Sequence, residues 1–101
     1  MTPARLSPKA RRDLLSAAAW IAEDSPAAAR DFQKSVDLSL KRLAEYPESG
    51  VVRLELTDEP VRFMPMRRFP YVLIYDPNRD PPLVVRILHG ARDLAEILRD
   101  I

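Results

Sequence analysis

Two serine-proline pairs constrain this chain most. Ser7-Pro8 and Ser25-Pro26 each stand ahead of a stripe of apolar residues at helical spacing. Serine caps a helix because its hydroxyl accepts from an amide that the first turn leaves unpaired. Proline fits the first helical position because its missing N–H has no partner there. After the first pair, Ala10, Leu14, Ala17, Ala18 and Ile21 fall on one stripe, while Lys9, Arg12, Asp13, Ser16 and Glu23 lie off it. That spacing predicts a helix from about Pro8 to Glu23. After the second pair, Ala29, Phe32, Val36, Leu40 and Leu43 recur at intervals of three and four, which predicts a helix to about Tyr46, ended by Pro47 and Gly50. Only Glu23, Asp24 and Ser25 separate the two, so they must turn back on each other as an antiparallel hairpin. Trp20, at the border of the first stripe, is expected to pack over the helix pair.

The remainder reads as strands. Arg5-Leu6-Ser7 suits a short first strand, and a strand pattern resumes at Val51. From Val61 to Arg68 the residues alternate, with Arg62, Met64, Met66 and Arg68 on one side and Val61, Phe63 and Pro65 on the other. Pro65 has no amide to donate, which predicts an edge strand or a bulge. Phe69-Pro70 turns into Tyr71–Tyr75, the 76–82 segment is a proline-rich loop, and Leu83–Leu88 is the next strand. Both apolar strands read as central and antiparallel. Gly90 breaks the last one, and Asp93–Asp100 reads as a short closing helix with Leu94, Ile97 and Leu98 inward. The expected fold is α+β over one domain, residues 1–101. An antiparallel helical hairpin packs on a three- to four-stranded antiparallel sheet, in the order β-α-α-β-β-β-α.

Composition removes several chemistries. With 101 residues the chain supports one core. It has no cysteine and one histidine, which excludes disulfides, thiolate metal sites and a His-rich zinc site. Neither a phosphate-binding P-loop nor a dinucleotide glycine turn is present. No apolar run approaches the roughly 18 residues that span a bilayer, and the N-terminus lacks a signal-peptide core, so a soluble, cytoplasmic protein without membrane contact is expected. The net charge of +1 conceals an asymmetry: between Pro60 and Arg92, six arginines face Asp76 and Asp80. An acidic partner or a phosphate backbone would bind that half.

Within that half, Arg62 and Arg68 share a strand face, Arg86 projects from the last strand, and His89 and Arg92 lie at that strand's end. Such cations suit a phosphodiester transition state with His89 as acid or base. They equally suit a groove for an acidic peptide. A structural use is the third reading, with Arg92 and Asp93 capping backbone groups and His89 bonded to a carbonyl; for His89 this is the expected one. Met64 and Met66, adaptable thioethers flanked by arginines, suit a protein-binding surface. Tyr71 and Tyr75 share a face and read as packing residues rather than base-stacking ones.

Four segments then carry a resemblance: "LSPKARRDLLSAAAWIAEDSPAAARDF", "LKRLAEYPESG", "VRFMPMRRFPYVLIYD" and "VVRILHGARDL". In this order and spacing the chain resembles toxins of the RelE/ParE superfamily from bacterial type II toxin-antitoxin modules. The resemblance implies a cognate antitoxin whose C-terminal segment lies over the sheet and hairpin, giving a toxin-antitoxin hetero-oligomer. No metal or cofactor is expected. The resemblance also implies a target, either DNA gyrase, as in the ParE branch, or mRNA on the ribosome, as in the RelE branch. The closing segment Asp93-Leu94-Ala95-Glu96-Ile97 offers no tyrosine as acid or base. The modest net charge is low for a ribosome-binding nuclease, and "HGARDL" looks more like ParE. A non-enzymatic gyrase poison is therefore expected, with Arg62, Met64, Met66, Arg68, Arg86 and Arg92 meeting antitoxin or target. The alternative is a ribosome-dependent endoribonuclease acting through Arg68, Arg86, His89 and Arg92. A third reading is an inactive toxin that only binds antitoxin.

Overall fold

The computed structural model describes residues 1–93. Its elements are β1 (Arg5–Leu6), α1 (Pro8–Asp24), α2 (Pro26–Glu45), β2 (Arg62–Pro65), β3 (Tyr71–Asp76) and β4 (Leu83–His89). Both serine caps form: Ser7 Oγ accepts from the Ala10 amide at 3.0 Å and Ser25 Oγ from the Ala28 amide at 3.1 Å. Ser7 also donates its hydroxyl to the Val85 carbonyl at 3.0 Å and its amide to that of Val84 at 2.9 Å, so the cap also fixes α1 to the sheet. The expected closing helix lies almost wholly outside the described residues.

The sheet has four strands in the order β1-β4-β3-β2. Strands β2, β3 and β4 are antiparallel, as expected, with Phe63 opposite Ile74 and Leu73 opposite Ile87. The sheet is nevertheless mixed rather than wholly antiparallel, because β1 runs parallel to β4, with Leu6 opposite Val84. A two-residue strand carries no alternation that fixes its direction; the chain path through the helices does. The strand expected from Val51 reduces to one bridge, Val51 to Phe63, before the backbone turns, with the Leu56 amide on the Arg53 carbonyl. Strand β2 stops at Pro65 rather than Arg68, since the Met66 amide closes the turn onto the Tyr71 carbonyl at 2.9 Å.

Alternation places apolar residues on both sheet faces. Tyr71, Leu73, Tyr75, Val84 and Ile87 pack under the hairpin against Phe32, Val36 and Leu43. Phe32, fully buried, meets the rings of Phe69 and Tyr71 at centroid distances of 5.3 and 5.1 Å. Burying such a ring contributes about 1.5–3 kcal/mol. On the far face Val61, Phe63, Ile74 and Leu88 form a second cluster, with Leu56 packed against it.

Two polar devices hold the ends of this layer. The β3–β4 register shifts between Ile74, opposite Arg86, and Tyr75, opposite Val84, leaving Val85 as an extra residue. At that bulge the Asp13 carboxylate of α1 accepts from Arg86 Nε at 2.8 Å, from Arg86 Nη2 at 3.2 Å and from the Ile87 amide at 3.0 Å. Beyond α2, the buried Tyr75 hydroxyl donates to the Pro47 carbonyl at 2.7 Å and accepts from the Gly50 amide at 2.8 Å. Among the described residues, no helix is long and apolar enough to cross a membrane.

Candidate functional site

The fold distributes the cationic candidates over four hollows, some of which adjoin. Met64, Met66 and Arg68 line a groove between α2 and the end of β2. Arg62 lines a hollow beside the 47–60 segment, Arg86 one under the start of α1, and Arg92 one beside Trp20.

Arg86 is largely enclosed, with its side chain 11% exposed and that of Asp13 16% exposed. The bulge re-aims it from the sheet face to the α1 edge. Arg62 stays on the hairpin side of β2, where its guanidinium donates to the Gly50 carbonyl at 2.9 Å and the Glu48 carbonyl at 3.3 Å. It therefore tethers the loop after α2. Arg68 stands free of β2, 3.9 Å from Asp31, and 71% of its side chain is exposed.

At the end of β4 the His89-Gly90-Ala91-Arg92-Asp93 stretch folds back on itself. The Asp93 carboxylate accepts the His89 amide at 3.1 Å, and the Asp93 amide donates to the His89 carbonyl at 2.9 Å. His89 Nδ1 accepts from the Arg92 amide at 3.1 Å, which leaves Nε2 to carry the proton of the neutral ring. The imidazole packs edge-on against Tyr71 at 5.4 Å. His89 thus accepts from a backbone amide, where a bond to a carbonyl was expected. The Arg92 side chain meets Asp93 at 3.4 Å and lies over the Trp20 ring at 5.5 Å; its bond to that carboxylate pushes the guanidinium further up from its ordinary value. Trp20 is 60% exposed, so it covers no helix pair and instead stacks on Arg92. Tyr71 and Tyr75 are both buried packing residues.

The groove between α2 and β2 has a volume of about 890 Å³. Met64 and Met66, half-buried against the core, lie in it, and Leu38, 65% exposed, stands on the helix side. Lys41, Arg42, Arg67 and Arg68 face Glu45 around it. Leu38, Lys41, Arg42 and Arg67 were missed by the sequence reading. Their signal lay in α2 itself, where Leu38 sits off the apolar stripe, one turn from Lys41 and Arg42. Above the groove, the outward amide and carbonyl of Phe63 on β2 are paired with Val51, and Pro65 has no amide. No cluster of acidic and histidine side chains suited to a metal occurs among the described residues.

A sequence profile of the ParE toxin of the type II toxin-antitoxin system, parDE, matches residues 4–94. The chain belongs to the ParE toxin family. That membership makes it the toxin of a two-protein module and implies an antitoxin partner. No curated protein matches the toxin.

Proposed function

We propose that this toxin arrests growth by acting on DNA gyrase rather than by cutting RNA. Its antitoxin would silence it by seating an acidic, amphipathic segment in the α2–β2 groove. The separation of Arg68, Arg86 and Arg92 into three hollows supports the first part. A metal-free nuclease needs its acid, its base and its phosphate-holding cations around one reacting bond. Here Arg86 is engaged by Asp13, and His89 is built into a turn. The groove's charge supports the second part: four cations and one carboxylate around exposed apolar side chains complement an acidic amphipathic chain. Because the outer edge of β2 is already paired or proline-blocked, the segment docks through side chains rather than as an added strand.

A gyrase supercoiling reaction tests this directly. Added toxin is expected to block supercoiling and trap cleaved DNA, and to leave mRNA on translating ribosomes intact. His89→Ala should retain the block. Arg67→Glu with Arg68→Glu should weaken capture of an acidic antitoxin segment by about tenfold or more. Cleavage of ribosome-bound mRNA that His89→Ala abolishes would overturn the reading. Inactivity in both assays would leave a chain that only binds antitoxin.

A further inference from the structure

We propose that the toxin pairs with a second copy of itself across the C-terminal turn of α2. Two hollows meet there, sharing Arg42, Glu45, Tyr46 and Ser49 as a ridge. One is the basic groove already described; the other, of about 1170 Å³, is walled by the 47–60 segment. Away from the ridge their charges are opposite: Lys41, Arg67 and Arg68 line only the first, Glu48, Asp58 and Glu59 only the second. Arg62 also lines the second, but its guanidinium is held by the Glu48 and Gly50 carbonyls. Among the described residues none of those three carboxylates is in an ion pair, and of the three cations only Arg68 is, with Asp31 at 3.9 Å.

Apolar surface accompanies both charges. Tyr46 on the ridge is 60% exposed, and Val52 and Leu54 beyond it are 47% and 71% exposed, against Leu38 on the basic side at 65%. Single exposed apolar side chains are ordinary, but a cluster of this kind marks an interface. Adjacent patches of opposite sign are self-complementary under a two-fold axis along their boundary. Half a turn about the ridge lays the acidic hollow of one copy over the basic groove of the other, and the reverse, so a single contact is made twice. The two Tyr46 rings then meet near the axis, where aromatic side chains are preferred anchors. A standard interface covers about 800 Å² per partner, roughly an eighth of the toxin's surface of 6397 Å², so the contact extends past the rims of the two hollows. The same pairing hides the groove assigned above to the antitoxin, yet it needs no antitoxin to form.

Sedimentation velocity on the full chain tests the pairing. At about 0.1 M salt a concentration-dependent monomer–dimer equilibrium is expected, shifting to monomer at about 1 M, where screening falls to roughly 3 Å. Glu48→Lys with Asp58→Lys, and separately Arg67→Glu with Arg68→Glu, should each leave a monomer, because like charges then face each other. Mixing the two variants should restore the dimer, since each supplies the charge the other now lacks; misfolding cannot produce that rescue. A wild-type chain that stays monomeric at roughly 0.5 mM overturns the proposal. So does a dimer that survives both reversals. So does a mixture that stays monomeric while both variants keep their helical circular dichroism. Should either reversal unfold the chain, Tyr46→Ser replaces it: a monomer is expected, and an unchanged dimer overturns the pairing.

Discussion

Tyr75 does more for this fold than its place in an apolar strand suggests. Its hydroxyl is buried between the Pro47 carbonyl and the Gly50 amide, and so holds the loop that leaves α2. Tyr75→Phe strands both backbone groups and should cost about 1–3 kcal/mol in denaturant unfolding. Gly50 serves the same contact from the other side, because a Cβ there would sit 2.7 Å from the Tyr75 ring and hydroxyl. Gly50→Ala should therefore destabilise as well, by displacing the ring. Asp13 and Arg86 form a second, part-buried polar contact. Asp13→Ala removes the carboxylate shared by Arg86 and the Ile87 amide, and should lower stability by about 1–3 kcal/mol. Arg86 would then read as a stability residue: its conservative variant Arg86→Lys should lower the unfolding midpoint, with any loss of toxicity following the folded fraction. Toxicity lost at full stability would restore Arg86 to the functional site.

At the level of elements, the helices were legible because their signals are local. Caps, first-turn prolines and a stripe of period three to four placed both within a residue or so of their observed ends. Ser25→Ala should accordingly cost about 1 kcal/mol, measured as a shift in the unfolding transition, since it strips the Ala28 amide of its acceptor. Strand pairing was only half legible. Alternation predicted which residues of β2 and β3 share a face, but β1, with two residues, carried no sign of its parallel pairing with β4. The cationic site was least legible. Alternation says which side a residue faces only while register holds, and the extra residue Val85 swings Arg86 away toward Asp13. Proline ended β2 before Arg68 could share its face, and the α2 side of the groove, with Lys41 and Arg42, lay on a surface that the apolar stripe left unread.

For the molecule as a whole, a net charge of +1 is made of opposite patches side by side rather than of neutral surface. Association with an acidic antitoxin segment should slow steeply as salt rises from about 0.1 M, because steering by the basic groove is screened. Stopped-flow association rates at several salt concentrations check this; a rate that ignores salt would place the antitoxin elsewhere. The wider claim concerns what the toxin does once unmasked. Its test is to induce the chain in growing bacteria without antitoxin and to follow chromosomal DNA and mRNA 5′ ends in the same culture. Growth arrest with broken DNA and an SOS response, beside unaltered mRNA ends, is the predicted result. Codon-positioned mRNA cleavage with intact DNA would contradict it.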